Sequence, residues 1–142
     1  MGVEKWLFSS EEPLDEDKII EVEELFGFKL PSDYKQCILK NNGAYPEPNV
    51  FDSDDGRIET VFNNLISFTD TNINIKMFHK FSSQKLIPFA RDPFGNLLCF
   101  DYSKDKEAPH IIFYNTEESE IGLTSQVCNS FTDLLERLYS LY

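Results

Sequence analysis

The chain has 142 residues, of which 25 are acidic and 13 are lysine or arginine, and its formal net charge is -12. That charge argues against direct binding to nucleic acid or to an anionic membrane surface, because both depend on basic side chains that meet phosphates. It suits a basic protein partner, since complementary fields speed encounter. The alternative is an acidic protein without such a partner, whose charge serves its solubility.

A hydrophobic fraction of 41% over this length is typical of a globular protein, and we expect a single domain over residues 1–142. The three cysteines, Cys37, Cys99 and Cys128, are widely spaced and form no CxxC pair, which indicates free thiols in a reducing cytoplasm. No long apolar run typical of a secretory signal stands near the N-terminus, and no stretch approaches the roughly 18 apolar residues of a membrane span. We therefore expect a cytoplasmic protein.

Two helices are predicted in the first third of the chain. Asp15 to Phe26 has apolar residues at helical spacing, with Asp15 as a candidate N-cap and Gly27 as a candidate left-handed C-terminal cap. The second helix runs from Ser32, its candidate N-cap, to about Asn41. Asn42 and Gly43 stop it, because both residues tolerate positive φ.

The middle of the chain shifts to β character. Short strands are expected at three places: Val50-Phe51, Ile58 to Phe62, and Leu65 to Phe68. Asp52 to Arg57 is expected to be a polar loop. Ile73 to Phe81 is interpreted as a helix that Asp70 or Thr71 caps.

Three stronger strand candidates follow: Leu86 to Ala90, Leu97 to Tyr102, and His110 to Asn115. Arg91 to Asn96 is predicted to be a turn, in which Asp92 bonds nearby amides and Gly95-Asn96 takes positive φ. This turn places Pro88 opposite Cys99. Because proline cannot donate, the first strand is expected to be an edge strand or to turn that position away from its partner.

A final helix is predicted from the segment SFTDLLERLYSLY. Ser130 and Asp133 resemble a capping box at its start. Its apolar face is expected to comprise Phe131, Leu134, Leu135, Leu138, Leu141 and Tyr142.

The acidic loop from Phe51 to Glu59 is dense enough in oxygen ligands to suggest calcium. An EF-hand alignment on Gly56 nevertheless places Phe51 and Phe62 at the first and last loop positions, where ligands are essential, so a solvated turn is the stronger interpretation. Zinc is not indicated either, because the two histidines, His79 and His110, have no second ligand at a local spacing. A metal site assembled from distant residues stays open.

A Cys-His nucleophile pair fails a simple test of register. If the last two strong strand candidates form a hairpin centred on Lys106, Cys99 lies opposite Phe113 and His110 opposite Tyr102. Cys99 and His110 are then three positions apart, which is roughly 10 Å along a strand. Carboxylate pairs are too abundant among 25 acids to mark acid-base chemistry. We therefore predict no enzymatic activity and no cofactor, and keep an enzyme built on scattered carboxylates as a third alternative.

The order and spacing of several segments resemble the SUKH superfamily, which includes yeast glucan-synthesis regulators and many bacterial toxin-immunity proteins. The family pattern is a helix that ends in a glycine, an LPxDY entry into the next helix, an NGG-like turn, and later an IPfa-D-xGN hairpin. Ala44 replaces the second glycine of the turn, and the resemblance extends from about Asp15 onward. The matching residues are Glu24, Gly27, Leu30, Pro31, Asp33, Tyr34, Asn42, Gly43, Ile87, Pro88, Asp92, Gly95 and Asn96.

This resemblance implies an α+β fold with a mostly antiparallel central sheet, flanked by two N-terminal helices and a C-terminal helix. It also implies a non-enzymatic protein-binding module whose signature residues are structural. The first functional hypothesis is an immunity protein that neutralises a cognate toxin, a basic nuclease domain. The second is a regulatory scaffold that binds a host protein. The acids proposed to meet the partner form two patches: Asp52, Asp54, Asp55 and Glu59, and then Glu117, Glu118 and Glu120.

Overall fold

The computed structural model describes residues 2–11, 13–116 and 124–141. Its helices are α1 (Glu16–Phe26), α2 (Ser32–Lys40) and α3 (Phe131–Glu136), with a 3-10 helix at Ile75–Gln84. Its strands are β1 (Lys5–Leu7), β2 (Tyr45–Glu47), β3 (Val50–Phe51), β4 (Thr60–Val61), β5 (Asn64–Leu65), β6 (Leu86–Arg91), β7 (Leu97–Asp101), β8 (His110–Tyr114) and β9 (Thr124–Cys128).

The central element is a five-stranded sheet in the order β5-β6-β7-β8-β9, and every neighbouring pair in it is antiparallel. Two small antiparallel ribbons, β1-β2 and β3-β4, accompany it. The predicted α+β class with a mostly antiparallel sheet and three α-helices is therefore confirmed. No helix in the described part of the chain is long and apolar enough to cross a membrane.

Helix α1 begins and ends as its sequence predicts. The Asp15 carboxylate accepts the Asp17 N–H at 2.9 Å, and Gly27 follows the helix at φ 84°, where its N–H donates to the Glu23 carbonyl. Ile19, Val22 and Phe26 are buried against the core, whereas Ile20 and Leu25 are exposed.

Helix α2 confirms its predicted position, but the prediction of Ser32 as its N-cap is wrong. Ser32 already has helical geometry, so Pro31 is the N-cap, and the proline side chain has no polar atom with which to cap the helix. The side-chain hydrogen bonds at the start of α2 come from the Asp33 carboxylate. One oxygen accepts the Tyr34 N–H, and the other accepts the N–H and hydroxyl of Thr132 at 2.9 and 2.7 Å. Asp33 thereby joins the start of α2 to the start of α3.

Pro88 lies opposite Cys99, as predicted, but for a different reason. Arg91 belongs to β6 and pairs with Leu97, so the turn is one residue shorter than predicted, and the extra residue Phe89 then brings Pro88 back opposite Cys99. Strand β6 is an inner strand rather than an edge strand. Its neighbour β5 pairs only with Ala90 and Arg91, so the ladder with β5 ends before Pro88.

The predicted register between β7 and β8 is wrong by one residue. Cys99 faces Ile112, and Asp101 faces His110, so the loop between the strands is centred between Asp105 and Lys106. The Asp105 carboxylate accepts the N–H groups of Glu107 and Ala108, which sets the length of that loop. Cys99 and His110 are still not paired across the two strands, because Cys99 faces Ile112 and His110 faces Asp101. Burial also raises the pKa of the Cys99 thiol well above its usual range, as expected for a core residue.

Several predicted elements differ in extent. The strand expected from Ile58 narrows to Thr60–Val61 because Ile58 is exposed, and the strand expected at Leu65 to Phe68 is Asn64–Leu65. The helix expected at Ile73 is a 3-10 helix that Asn74 caps, while Asp70 accepts the N–H groups of Asn72 and Ile73 in the turn before it. Strands β1, β2 and β9 were not predicted.

Helix α3 is shorter than predicted, although its capping residue is right. The Ser130 hydroxyl accepts the Asp133 N–H at 3.0 Å. Phe131, Leu134 and Leu138 are buried, but Leu141 is 47% exposed and does not belong to the buried face. Tyr142 lies outside the described residues.

Aromatic rings fill the space between the sheet and helices α2 and α3. The Tyr34 ring makes edge contacts with Phe89, Phe100 and Phe131, at centroid distances from 5.0 to 5.8 Å. Phe89 and Phe100 stack at 4.3 Å across the β6–β7 pair. Because these rings come from α2, from α3 and from strands β6 and β7 of the sheet, the cluster holds both helices on one face of the sheet.

Candidate functional site

The acidic loop, Asp52 to Glu59, connects β3 to β4 and contains the four described acids of the predicted partner surface. Its ends are held together because Phe51 pairs with Thr60. Inside the loop, the Ser53 N–H donates to the Arg57 carbonyl at 2.7 Å, and the Gly56 N–H donates to the Ser53 carbonyl. The prediction of a polar turn between strands is confirmed.

The acidic loop lies against β9, the last strand of the central sheet. The Asp54 N–H donates to the Val127 carbonyl at 2.9 Å, and the Asp55 N–H donates to the Gln126 carbonyl at 3.3 Å. Backbone groups of an edge strand otherwise remain free to pair with another chain. The loop therefore covers part of this edge and is itself held by the sheet.

Arg137, the residue that ends α3, fixes the loop from the other side. Its Nη1 donates to the Asp52 carbonyl and the Asp54 carboxylate, both at 3.0 Å, and to the Val127 carbonyl at 3.1 Å. Its Nη2 bonds both carboxylate oxygens of Asp133. Sequence reasoning missed Arg137; the signal was a basic residue four positions after Asp133 in an otherwise acidic helix.

Asp52 is engaged within the protein. Its carboxylate accepts the Glu59 N–H at 2.9 Å and the Tyr139 hydroxyl at 2.7 Å. These hydrogen bonds lower the pKa of Asp52, the Glu59 amide contributing most. The hydrogen bond to the Asp52 carboxylate raises the pKa of Tyr139 to about 12. Asp52 is thus a tether of the loop, although its side chain reaches the surface.

Asp55 and Glu59 differ from Asp52, whose carboxylate accepts two short hydrogen bonds, and from Asp54, whose carboxylate pairs with Arg137, because among the described residues their carboxylates make neither kind of contact. Asp55 accepts a long hydrogen bond of 3.4 Å from the Arg57 N–H, and the Glu59 carboxylate makes no hydrogen bond within the described ranges. Between them, the Ile58 side chain is 66% exposed. Arg57 points back to the protein, with its guanidinium carbon 4.4 Å from the centre of the Phe113 ring.

The structure thus divides the predicted surface. Asp52 and Asp54 hold the loop in place, whereas Asp55 and Glu59, on either side of the apolar residue Ile58, have carboxylates without an ion pair in the described part of the chain. Glu117, Glu118 and Glu120, the second predicted patch, lie outside the described residues. Within residues 2–11, 13–116 and 124–141, no group of three or more His, Cys, Asp or Glu side chains is placed to hold a metal ion.

The predicted signature residues lie in turns, caps and the core, away from the acidic loop. Leu30, Tyr34, Asn42, Ile87, Asp92 and Asn96 are buried. The Asn42 side chain accepts the Phe68 N–H and donates to the Thr69 hydroxyl, and these bonds fix the turn that contains Gly43. Pro31 and Asp33 begin α2, and Pro88 lies within β6.

In the β6–β7 turn, the Asp92 carboxylate accepts the N–H groups of Phe94 and Asn96, both at 2.8 Å, as predicted. Gly95 takes φ 88°, but Asn96 is not among the residues with positive φ. The Asn96 side chain instead accepts the Thr116 N–H at 3.0 Å, which joins the turn to the end of β8.

A buried acid next to the signature residue Glu24 was missed. Glu24 is exposed, whereas Glu23 is 6% exposed and accepts the Leu30 N–H at 2.7 Å. Its carboxylate also lies 3.6 Å from the Lys35 ammonium. Glu23 therefore ties α1 to the segment that leads into α2.

A family model described as SMI1 / KNR4 family (SUKH-1) matches residues 13–137 of the chain. The match includes α1 to α3, the acidic loop and all five strands of the central sheet. No curated protein matches the chain.

Proposed function

The chain belongs to the SMI1 / KNR4 family (SUKH-1), and on that premise we propose that it is an immunity protein that binds a cognate toxin domain and blocks its action. The family includes toxin-immunity proteins and fungal regulators, and its members are generally non-catalytic. Under this proposal the chain acts by occupying a surface of its partner rather than by chemistry.

The observation that carries the proposal is the free face of the acidic loop. Asp55 and Glu59 are exposed and unpaired among the described residues, and they belong to a chain of net charge -12. A nuclease binds its substrate through basic side chains that neutralise phosphates. Carboxylates presented to that basic surface would compete with phosphates for it, so a basic nuclease domain is the partner that this chemistry fits.

Anchoring of the loop supports the same proposal. The bonds to Val127, Gln126 and Arg137 hold the loop before any partner arrives, so little ordering entropy is lost on binding. Ile58 would add an apolar contact between the two charges, since interface energy concentrates at a few desolvated side chains. Asp52 and Asp54 then contribute mainly through the shape of the loop.

Co-expression of the chain with the product of the large gene next to its own gene tests the proposal. We expect that product to be toxic alone and harmless beside the wild-type chain, and the double variant Asp55→Asn/Glu59→Gln to protect less well. Glu24→Gln/Glu107→Gln removes the same charge at two exposed positions elsewhere and is expected to protect fully. A neighbouring product that is harmless alone, or that stays toxic beside the wild-type chain, would contradict immunity.

A regulatory scaffold that binds a protein of its own cell is the second candidate, and the same family membership supports it. The gene neighbourhood separates the two: a neighbouring gene with a variable C-terminal toxin domain favours immunity, and its absence favours regulation. Both candidates use the chain as a binding module without a cofactor.

A further inference from the structure

A second surface of the protein, formed by residues outside the acidic loop, contains an arginine without a carboxylate partner among the described residues. A cleft of about 590 Å³ opens beside the Gly43 turn, and its lining includes Phe8, Tyr45, Ile73 and Arg91. We call it the Arg91 cleft. Its volume falls in the range of about 300–1,000 Å³ that is usual for binding sites.

Arg91 has no carboxylate partner in the described part of the chain, although the protein has 25 acidic residues. Its backbone is fixed within β6, where its carbonyl accepts the Asn63 N–H at 2.8 Å. The other charged residue of the lining, Asp70, uses one oxygen for the N–H groups of Asn72 and Ile73. A half-buried guanidinium with five N–H donors is thus left for a ligand.

Exposed apolar side chains stand on the rim of the same cleft. Phe8 is 82% exposed, Ile73 is 39% exposed and Tyr45 is 38% exposed. Phe8 also has φ 59°, a left-handed conformation that is costly for a non-glycine residue and that holds its ring edge-on to Tyr45 at 5.8 Å. Residues in strained backbone conformations occur preferentially at functional sites, including sites that bind ligands.

Hydrogen bonds between separate segments fix the walls of the cleft. The Ser10 N–H donates to the Asn42 carbonyl at 3.0 Å, and the Leu65 N–H donates to the Ala44 carbonyl at 2.9 Å. Asn42 bonds Phe68 and Thr69 through its side chain. Because these bonds join the N-terminal segment, the Gly43 turn and the segment after β5, the cleft is formed before a ligand binds.

We propose that the Arg91 cleft binds a segment of a partner protein in which a carboxylate stands next to an apolar side chain. The carboxylate pairs with the Arg91 guanidinium, and the apolar side chain packs on Phe8, Tyr45 and Ile73. A peptide is favoured over a carbohydrate because the unpaired charge calls for an anion and the rim carries aliphatic as well as aromatic groups. This inference does not depend on the proposed immunity function, since that function uses acids of a different loop.

Selection of random dodecapeptides displayed on phage against the full chain tests the proposal. We expect the selected peptides to share an Asp or Glu next to an aromatic or aliphatic residue. Fluorescence anisotropy then measures the affinity of one synthesised peptide for each variant. Arg91→Gln is expected to weaken binding about tenfold or more, because a charge-assisted hydrogen bond is lost. Phe8→Ala is expected to weaken binding as well.

The controls separate a specific ion pair from a general effect of charge or stability. Replacing the peptide's acid by its amide is expected to weaken binding as much as Arg91→Gln, and the two changes together to cost no more than one. That arm needs no protein variant to fold. Lys104→Gln, at an exposed position in another loop, and Asp55→Asn/Glu59→Gln are both expected to leave the affinity within about twofold.

Three results would overturn the proposal. The first is a selection that yields no common acidic and apolar pair. The second is a selected peptide that the Arg91→Gln variant binds as tightly as the wild-type protein does. The third is a neutral oligosaccharide that shifts the backbone NMR signals of Gly43, Asn72 and Arg91 while the peptides do not, which would assign the cleft to carbohydrate.

Discussion

Arg137 and Asp54 form a 3.0 Å ion pair that joins the last helix of the protein to its acidic loop. The same guanidinium reaches the Val127 carbonyl of the edge strand and both oxygens of Asp133. The acidic loop, strand β9 and helix α3 therefore meet at one side chain that is only 24% exposed. The acidic loop is consequently a supported surface rather than a free connection.

Replacing Arg137 by alanine is expected to destabilise the protein and to release the loop. The variant leaves the Asp54 and Asp133 carboxylates and the Val127 carbonyl without their shared donor, at a cost of about 1–3 kcal/mol. Urea unfolding measures that loss, and hydrogen exchange at the Asp54 and Asp55 amides is expected to accelerate. Lys104→Ala, an exposed substitution, serves as the control. Unchanged exchange at both amides would show that Arg137 does not hold the loop.

The contact of Asp33 with Thr132 is expected to be energetically coupled. Asp33→Ala removes both hydrogen bonds to Thr132, whereas Thr132→Ala removes only the one from the hydroxyl and keeps the one from the backbone N–H, so the double variant should be less destabilised than the sum of the two. The expected coupling energy is about 0.5–3 kcal/mol, measured by chemical unfolding of the four proteins. Strict additivity would mean that the two residues stabilise the fold independently.

We expect the Glu23 side chain to contribute to the stability of the folded protein and the neighbouring Glu24 side chain to contribute little. Glu23→Ala leaves the Leu30 N–H without its acceptor in a buried position, which costs about 1–3 kcal/mol. Glu24→Ala changes an exposed side chain and is expected to stay within about 0.5 kcal/mol of wild type. Thermal unfolding of the two variants checks the contrast, and equal losses would contradict it.

The Asp52–Tyr139 hydrogen bond predicts a pH dependence with a defined sign. The Glu59 amide, followed by the Tyr139 hydroxyl, lowers the folded-state pKa of Asp52, so the contribution of Asp52 to stability is present above the pKa of the unfolded chain and is lost as the pH falls through the folded value. The folded pKa of Tyr139 is raised to about 12, so the stabilisation of its neutral form is present below the unfolded value and is lost as the pH rises through about 12.

Asp52→Asn isolates this pair, because it removes the negative charge that opposes ionisation of Tyr139. We expect the pKa of Tyr139 to fall toward its ordinary value of about 10. The difference in ultraviolet absorbance between each protein and its Tyr139→Phe counterpart reports this one tyrosine. If the pKa of Tyr139 is the same in both proteins, the hydrogen bond is not what raises it.

Local chemistry explains which elements could be predicted from the sequence. Helix α1 has its start signal in Asp15 and its stop signal in Gly27, and the β6–β7 turn carries its own hydrogen-bond acceptor in Asp92. In each case the deciding contacts lie within a few residues of one another.

The features that escaped prediction depend on contacts between distant residues. Strands β1 and β2 have only three residues each and exist because they pair with one another. The role of Arg137 requires knowing that α3 ends beside the acidic loop. The error in the β7–β8 register is an exception, since it arises within the hairpin. The loop between Asp101 and His110 is one residue longer than predicted, and Asp105 holds it through hydrogen bonds to Glu107 and Ala108.

Binding of the purified toxin domain to three forms of the protein tests the central claim most directly. We expect Asp55→Asn/Glu59→Gln to raise Kd about tenfold and to reduce its dependence on salt, because exposed interfacial charges set both. The control, Glu24→Gln/Glu107→Gln, is expected to keep Kd within about twofold of wild type. Equal affinity of all three forms, with the same salt dependence, would contradict the assignment of the acidic loop as the surface that meets the partner.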